Sequence, residues 1–374
     1  MTTIPGPSSI LKRVENTVSE SLTDNIKVLF PPREIIRDRR MKKKKVQKSS
    51  TMIADARQNK IYQDSLDCLF EEQRFLATHL HKKYTEEFST DFRRYTYGVS
   101  PILEPDCDSD LDLIVVITTR PGNFIERTAI RYSWGRAEAV VNKLFTNQNS
   151  FKYKTIFTLG RDNNHIIEEI VSKENSKYRD ILRLDYLDTY ENLSKKTILS
   201  LKWIGESCKP KFVLKTDDDC YVNLYELSPW LLGLSPDVHY IGKKNEYMPV
   251  IRDPTHRNYV PFEVFGEEFY KVYCSGGGYI LRGTLLSNVT QKAREIPEII
   301  NEDAYLGMIA HALNITPFDD ARFLPFVFDD VNLRKRHMCD WTDKFLMHNV
   351  LPRRQLLMHW QKLAMTRYNV LCDL

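Results

Sequence analysis

Short apolar runs alternate with amphipathic segments along the part of the chain that follows residue 110. The runs LDLIVVIT (111–118), YKTIFTLG (153–160) and KFVLKT (211–216) have the length and composition of buried strands. Apolar residues at helical spacing predict helices over 124–145, near 162–177 and over 192–208, with one more strand at 180–186. This alternation predicts an α/β fold that has a mostly parallel sheet with helices on both faces.

The chain before this region has a different pattern. Residues 1–60 are polar and charged, lack a steady period and include the basic run RRMKKKKVQK (39–48), so they are predicted to form a basic, flexible tail. Residues 61–108 combine helically spaced apolar positions with a linker rich in Pro and Asp, which predicts a helical stem-like segment. The folded domain is accordingly predicted to span 109–374.

Composition limits the classes of function. With 374 residues, 42% of them hydrophobic and 11% aromatic, the chain has enough apolar material for a real core. The net charge of +4 is small for this length, and the basic run has neither stacking aromatic residues nor a helix-turn-helix pattern beside it, which argues against nucleic-acid binding. No stretch approaches the ~18 apolar residues of a membrane span, and no signal-peptide core is recognisable.

Seven cysteines are dispersed along the chain, without a CxxC pattern or zinc-finger spacing. They fit free thiols or a few disulfides, and the odd count leaves at least one unpaired within a monomer. Glycosylation sequons begin at Asn192, Asn288 and Asn314, which is compatible with a secretory-pathway lumen although sequons often arise by chance.

Three consecutive aspartates, Asp217, Asp218 and Asp219, come directly after the strand at 211–216. Adjacent carboxylates repel one another, and a cation or water usually relieves the repulsion. Seen alone, such a triplet is more often a solvated turn or a helix cap. In parallel sheets, however, ligands bind beyond the carboxyl ends of the strands, which favours a cation site here.

Five segments together resemble a known family. They are, in order, RTAIRYSWG (127–135), LDYLDTYENLSKKT (184–197), KTDDDCYVN (215–223), YCSGGGYIL (273–281) and EDAYLGM (302–308). In this order and spacing they resemble the β-1,3-glycosyltransferases of the galactosyltransferase type, glycosyltransferase family 31. The resemblance runs from about Leu111 to the C-terminus. It implies a Rossmann-like GT-A fold, a UDP-sugar donor, a divalent cation (usually Mn2+), a glycan acceptor and inversion at the anomeric carbon.

The resemblance assigns contacts to the aspartate triplet. It implies that Asp217 lies near the donor ribose and the metal, that Asp219 binds the metal, and that Asp218 supports or shares these contacts. A cation held by carboxylates would act as a Lewis acid and template for the diphosphate that leaves. Oxygen ligands suit manganese or magnesium.

A histidine late in the chain is a further expected ligand. The segment FLMHNVLPRRQLLMHW (345–360) resembles the family's C-terminal motif and singles out His348, with His359 and His337 as competitors. An imidazole suits this class of metal. A lone histidine is more often structural, so both alternatives stay open.

The inverting reaction needs a base on the acceptor hydroxyl. The resemblance assigns this role to Asp303, at the start of a predicted helix whose N-terminus favours an ionised carboxylate. Its neighbour Glu302 is assigned, together with the glycine loop, to the substrate side. The alternative is that both acidic residues only complement the helix dipole.

Two other groups carry open alternatives. Arg127 and Arg131, one helical turn apart, are expected to bind the donor nucleotide or else to pair with acidic residues inside the domain. The glycine run consists of Gly276, Gly277 and Gly278. These glycines would let the backbone approach a sugar closely, and the alternative is an ordinary glycine-rich turn. Asp185 and Asp188 are expected to have structural roles.

The chain departs from the family pattern at several positions. Ser133 stands in place of a usual Thr, and Cys220 in place of Val or Ile. Arg257 and Asn258 replace a usual Lys and Trp, so sugar contacts would differ. Ile309 stands where many members have a cysteine, so one family disulfide is expected to be missing. Members are normally type II Golgi membrane proteins, which makes the Golgi lumen the expected location, but their span is not found here.

The predicted function is an inverting, UDP-sugar-dependent β-1,3-hexosyltransferase that moves galactose or an N-acetylhexosamine to the 3-hydroxyl of a glycan on protein or lipid. The alternative is a non-catalytic, glycan-binding or chaperone-like relative with the same fold. Such a relative would be expected to lose the metal aspartates or the base, whereas Asp217, Asp219 and Asp303 are all present. A metal-dependent hydrolase or nucleotidyltransferase is disfavoured, because neither a second metal cluster nor a phosphate loop is found.

Overall fold

The computed structural model describes residues 101–107, 110–136, 151–325 and 338–368. All of them belong to the compact unit Asp91–Leu374. The strands are β1 (Pro101–Leu103), β2 (Leu113–Thr118), β3 (Tyr153–Arg161), β4 (Ile181–Leu187), β5 (Phe212–Asp217), β6 (Tyr221–Val222), β7 (Tyr240–Asn245), β8 (Tyr273–Arg282), β9 (Phe318–Asp319), β10 (Phe323–Leu324) and β11 (Leu346–Met347).

The helices follow the strands in the predicted alternation. They are α1 (Phe124–Arg131), α2 (His165–Tyr178), α3 (Leu193–Ser207), α4 (Leu224–Leu232), α5 (Leu286–Lys292), α6 (Glu302–Ala312) and α7 (Pro352–Tyr368). Short 3-10 turns lie at Trp134–Arg136, Tyr190–Asn192, Gly283–Leu285 and Met338–Asp340. Part of the helix predicted over 124–145 lies outside the described residues.

The central sheet has eight strands in the order β1-β4-β3-β2-β5-β8-β7-β9. Strands β4, β3, β2 and β5 run parallel to their neighbours within this group, while β1 and β8 are antiparallel to the strands they pair with. Each parallel crossover passes through a helix, as the alternating sequence pattern requires. A small second sheet, β10-β11-β6, lies beside the carboxyl end of β5. The predicted mostly parallel sheet is confirmed.

Helices cover both faces of the sheet, and β2 shows why. Its side chains alternate between two apolar clusters: Ile114 and Val116 pack on the side of α3, α5 and α6, while Leu113, Val115 and Ile117 pack on the side of α1, α4 and α7. All five are almost completely buried. A strand buried on both faces reads as a continuous apolar run, so LIVVI is explained by its central place.

The predicted domain boundary at residue 109 is wrong. Strand β1 pairs antiparallel with β4 although it lies in the predicted stem-like segment and linker. A disulfide between Cys107 and Cys208 ties the segment that precedes β2 to the end of α3. The folded domain therefore begins at or before Pro101. The predicted tail (1–60) and the helices predicted between 61 and 97 lie outside the described residues.

The remaining cysteines bear on the expected loss of a family disulfide. Ile309 is fully buried in the apolar cluster beside α3, where a cysteine would be expected from the family. Cys220 and Cys274 are buried free thiols, and Cys339 is disulfide-bonded. Among the helices that the structure describes, none is long and apolar enough to cross a membrane.

Candidate active site

The candidate site lies where β2 and β5 end and β8 begins. Parallel strands bring the residues that follow β2 and β5 to one edge of the sheet, and antiparallel β8 starts at the same edge. The register pairs Thr118 with Asp217 and Thr216 with Gly278. The aspartate triplet, the glycine run and the start of α6 therefore meet, although they are far apart in sequence.

Asp219, Cys220 and His348 form a candidate metal cluster. One ligand atom from each lies within 4.8 Å of the others, and His348 Nε2 is 3.4 Å from an Asp219 carboxylate oxygen. The other imidazole nitrogen, Nδ1, lies 2.8 Å from the carbonyl oxygen of Pro325, which fixes the ring. Asn349 follows in the left-handed region at φ 60, where Asn is favoured among non-glycine residues. The turn directs His348 towards Asp219.

The electrostatics of this cluster fit a divalent cation such as Mn2+. Burial would raise the pKa of Asp219, but the hydrogen bond and charge of His348 outweigh it and lower that pKa. The hydrogen bond with Asp219 raises the pKa of His348. Burial raises the pKa of Cys220 strongly, so its thiol stays protonated and is a weak ligand. Asp219 and His348 thus supply the oxygen and nitrogen that would hold the ion.

Asp217 is held by two polar neighbours. Its Oδ1 atom accepts hydrogen bonds from Thr118 Oγ1 and, at 2.9 Å, from the Lys215 ammonium. It is not part of the candidate cluster formed by Asp219, Cys220 and His348. Only one of its carboxylate oxygens is engaged by Thr118 and Lys215, so its role as a metal ligand stays a prediction. The donor side remains its expected contact.

Asp218 points into a polar pocket between β2 and α1. Its Oδ2 accepts hydrogen bonds from Thr119 Oγ1 at 2.5 Å and from the Asn123 amide at 2.9 Å. Burial raises the pKa of Asp218 to about 7, although both hydrogen bonds lower it. Its backbone carbonyl also accepts from the Gln355 amide of α7 at 2.9 Å. Asp218 therefore anchors the triplet, which agrees with the supporting role expected for it.

Asp303 begins α6 on the opposite side of β8 from His348. Its Oδ2 accepts a hydrogen bond from the Gly276 backbone N–H at 2.9 Å, and its Oδ1 accepts one from the Ala304 N–H at 2.9 Å. Burial and the neighbouring charge of Glu302 raise the pKa of Asp303 to about 6. A carboxylate with this pKa is ionised at neutral pH yet more basic than an exposed aspartate, as a general base requires.

Glu302 does not face the substrate side. It is buried, and its two oxygens contact the Tyr279 hydroxyl and the Lys215 ammonium, the latter at 3.2 Å. The assignment of Glu302 to the substrate loop is therefore corrected. Its carboxylate instead balances a buried lysine inside the domain.

The glycine run is part of strand β8 and not a loop or turn. A Cβ added to Gly278 would lie 2.1 Å from Leu346 Cδ1, and one added to Gly277 would lie 3.1 Å from His348 Cβ. Both glycines are buried, whereas Gly276 is partly exposed. Glycine at 277 and 278 thus admits the protein's own side chains, which corrects the expected sugar contact. Gly276 is the member of the run that borders the open site.

Arg127 and Arg131 lie inside the domain. The Arg127 guanidinium donates to both Glu174 oxygens, at 2.9 and 2.7 Å, and Arg131 donates to both Asp180 oxygens at 2.8 Å and to Glu174 at 2.5 Å. Their side chains are 0% and 3% exposed. The expected donor contact is therefore corrected: their donors are engaged by buried carboxylates, which was the second alternative.

The other residues singled out from the sequence make structural contacts or lie apart from the candidate metal cluster. Asp188 pairs with buried Lys196 at 2.8 Å, and Asp185 pairs with Arg161 on the surface. His359 is buried on α7, where burial lowers its pKa to about 3, and it does not join the Asp219 cluster. His337 lies outside the described residues.

Sequence reasoning missed Lys215 and Tyr190. Lys215 is two residues before Asp217 on the same face of β5, a spacing that signals contact. The Tyr190 hydroxyl donates to Asn258 Oδ1 at 2.8 Å, and the Arg257 guanidinium lies 5.3 Å from the ring centroid of Tyr190. Arg257 and Asn258, which both depart from the family pattern, thus both contact Tyr190. No pattern in the sequence indicated these contacts.

Comparison with known proteins finds relatives of similar sequence. A family model described as Galactosyltransferase matches residues 125–321. The N-acetyllactosaminide beta-1,3-N-acetylglucosaminyltransferase 2 of Mus musculus is 31% identical over 252 residues, which cover 65% of this chain and 61% of that relative. The Beta-1,3-galactosyltransferase 5 of Homo sapiens is 30% identical over 259 residues, covering 68% of this chain and 79% of that relative.

Solved structures are only weakly similar to this chain. The mannosyltransferase PcManGT from Pyrobaculum calidifontis, in complex with GDP-Man and Mn2+, covers 67% of this chain and 63% of its own, at a TM-score of 0.32 and 9% identity. Overlap at this level carries no argument, so family membership rests on the sequence matches.

A mostly parallel sheet with an acidic site at its carboxyl edge is the arrangement of a nucleotide-sugar transferase of the GT-A type. The chain belongs to the galactosyltransferase family, glycosyltransferase family 31, a family of glycosyltransferase enzymes. The resemblance inferred from the five motifs is confirmed.

Proposed function

We propose that this protein is a divalent-cation-dependent, inverting hexosyltransferase that moves galactose or an N-acetylhexosamine from a UDP-sugar to the 3-hydroxyl of an acceptor glycan. One observation carries the proposal: the start of β8 lies between a candidate metal pair and a candidate base. Gly276 donates to Asp303 on one face of the strand, and a Cβ on Gly277 would contact His348 on the other. The site thus has a donor half and an acceptor half.

In the donor half, Asp219 and His348 would hold Mn2+ or another divalent cation. When bound, such a cation supplies Lewis-acid neutralisation of the departing diphosphate. Asp217, ordered by Thr118 and Lys215, is left with Oδ2 to orient the donor ribose. Asp218, buried and bonded to Thr119 and Asn123, keeps the triplet in position.

In the acceptor half, Asp303 would take the proton of the acceptor hydroxyl. The hydroxyl oxygen forms its bond to the anomeric carbon as the bond from that carbon to the diphosphate breaks, and UDP leaves with the electron pair. The Gly276 and Ala304 N–H groups orient the carboxylate of Asp303 throughout. Attack from the side opposite the leaving group inverts the anomeric configuration.

We propose that the chain works in an oxidising lumen, such as that of the Golgi. The Cys107–Cys208 disulfide supports this, because such bonds form and persist in the secretory pathway and are rare in the cytosol. The relatives are named for galactosyl and N-acetylglucosaminyl transfer, and one of the names includes N-acetyllactosaminide. Those sugars define the first panel of substrates to test.

The testing experiment is calorimetric titration of the purified full chain with UDP, in MnCl2 and then in EDTA. Manganese-dependent UDP binding, with weaker binding of GDP as the matched control, is the expected result. Release of UDP from UDP-galactose or UDP-N-acetylglucosamine in the presence of N-acetyllactosamine would then identify the donor. A folded chain that binds no UDP in either condition would contradict the proposal and favour a non-catalytic relative of the same fold.

A further inference from the structure

Lys215 is a buried cation at the start of the motif KTDDDCYVN, and the family resemblance assigned it no role. It lies on β5 two residues before Asp217, and its side chain is 1% exposed. Residues two apart in a strand point to the same face, so the side chains of Lys215 and Asp217 lie on one face of β5. A buried lysine persists as a cation only when its charge is paired. Its partners therefore define what it does.

The ammonium group has three donors, and three acceptors surround it. Lys215 Nζ lies 2.9 Å from Asp217 Oδ1, 3.2 Å from a Glu302 carboxylate oxygen and 2.8 Å from the Gly276 carbonyl oxygen. These acceptors belong to β5, α6 and β8 respectively. One side chain thus joins the donor half of the site to the helix that carries Asp303.

Gly276 connects Lys215 to Asp303. Its carbonyl accepts from Lys215, while its N–H donates to Asp303 Oδ2 at 2.9 Å. Gly276 also has no side chain to restrain it, and a Cβ there would lie 3.2 Å from the same Asp303 oxygen. Because glycine is the most permissive residue in the backbone, its position depends on the bonds at its two ends. Lys215 makes one of these bonds.

We propose that Lys215 is a positioning residue that holds the Gly276 backbone, and through it the Asp303 carboxylate, in register with Asp217. This inference rests on the proposed function. Lys215 touches neither the acceptor hydroxyl nor the anomeric carbon. It acts by fixing the distance between the carboxylate that orients the donor and the carboxylate that takes the acceptor proton.

The charge of Lys215 gives the proposal a second readout. The groups that face Asp303 are the Glu302 carboxyl, the Lys215 ammonium, the Cys274 thiol and the phenols of Tyr190, Tyr240, Tyr270, Tyr273 and Tyr279. Burial raises the pKa of the thiol and of these phenols, so they are neutral near pH 6. The charge of Lys215 lowers the pKa of Asp303 and that of Glu302 raises it. Removing Lys215 alone should therefore move the acidic limb of the pH–rate profile to higher pH.

Two variants separate positioning from charge balance. Lys215→Met keeps the length of the side chain but leaves Glu302 buried without its cation, which destabilises the fold. The double variant Lys215→Met/Glu302→Gln removes one positive and one negative charge, so the net charge of the cluster is unchanged and the fold is retained. Neither side chain of the double variant can hold the Gly276 carbonyl as Lys215 does. Lys362→Met, which breaks a partly buried pair with Glu226, is the control for lost stability.

The measurements are the affinity for UDP with Mn2+ and the rate of UDP release from UDP-galactose or UDP-N-acetylglucosamine, with N-acetyllactosamine, as a function of pH. We expect a turnover lowered about 100-fold in both Lys215 variants, the loss typical of a misplaced catalytic group. UDP affinity should fall by less than turnover, because Asp217 keeps its hydrogen bond from Thr118. The acidic limb should move upwards in Lys215→Met and stay in place in Lys362→Met.

Full turnover in the double variant would overturn the proposal, because charge balance alone would then explain Lys215. An unchanged acidic limb in a folded Lys215→Met variant would also count against it. Failure of the proposed function looks different: the wild-type chain itself would show neither manganese-dependent UDP binding nor UDP release.

Discussion

Two groups of charged side chains in this domain differ in how completely their charges are paired and buried. In the interior, Arg127 and Arg131 enclose Glu174, whose side chain is 3% exposed. At the edge of the sheet, Asp219 and His348 are 42% and 28% exposed, and among the described residues they form an ion pair with each other. The interior group has two guanidinium groups for its carboxylates, whereas the edge has more carboxylates than cations. That excess of negative charge is what the proposed cation would balance.

The comparison shows that the role of a charged motif residue depends on how completely other residues of the fold pair its charge and its hydrogen-bonding groups. Each guanidinium nitrogen of Arg127 and Arg131 donates to a protein oxygen, and both side chains are buried, so neither is accessible to a nucleotide. Asp303 lies between these extremes. Two backbone donors orient it, while burial beside Glu302 keeps it basic.

The largest expected effect comes from Asp303→Asn, which removes the base but keeps the shape of the side chain. UDP release in the presence of acceptor should fall by about 10³-fold, within the usual range for loss of a general base, while UDP affinity stays unchanged. In the wild type the rate should fall about tenfold per pH unit below about pH 6, because Asp303 must be ionised. The variant should lack this dependence. Retained turnover would remove Asp303 from the base role.

Glu174→Gln tests the interior group. Removing this charge leaves two buried arginines with one carboxylate fewer, so the free energy of unfolding should fall by about 3 kcal/mol. Burial would raise the pKa of Glu174, but Arg127 and Arg131 lower it. The wild-type stabilisation is therefore present above the ordinary glutamate pKa and lost as pH falls, and the variant should lack this acid-induced loss.

Denaturant unfolding at several pH values measures the effect of Glu174→Gln. UDP affinity per folded molecule should not change, which separates this group from the edge. A large loss of UDP affinity in a fully folded variant would mean that the arginine pair reaches the donor after all.

Asp219→Ala tests the edge. Loss of the carboxylate of the metal pair should weaken manganese-dependent UDP binding by about 100-fold, or about 2.7 kcal/mol, measured by calorimetry. Thermal stability in EDTA should fall slightly, because His348 stabilises the ionised Asp219 in the folded state and this contribution is lost. Unaltered binding would place the cation elsewhere.

The smallest effect is expected on the surface of α2. Lys173 and Glu169 form an exposed pair four residues apart, with side chains 39% and 51% exposed. Lys173→Ala should lower the free energy of unfolding by no more than about 0.5 kcal/mol and leave UDP binding unaltered. It is the matched control for Glu174→Gln on the same helix, and an effect of similar size in both would contradict the contrast between buried and exposed pairs.

The sequence by itself determined the order of strands and helices and the place of the candidate site. Buried strands must be apolar and amphipathic helices periodic, so LDLIVVIT and KFVLKT were recognisable without coordinates. The triplet after β5 marked the carboxyl edge of the sheet, and five ordered motifs identified the family. These are local patterns, each written within a few consecutive residues.

Only the tertiary structure decided which charged residues face solvent and which face one another. Arg127 meets Glu174 across 47 residues, and Lys215 meets Gly276 across 61. Strand β1 joined the sheet because β4 offered an edge, a pairing that no local pattern in 101–103 specifies. Satisfaction of a buried charge depends on partners brought together by the chain's path through space, and neighbouring residues in the sequence do not contain that information.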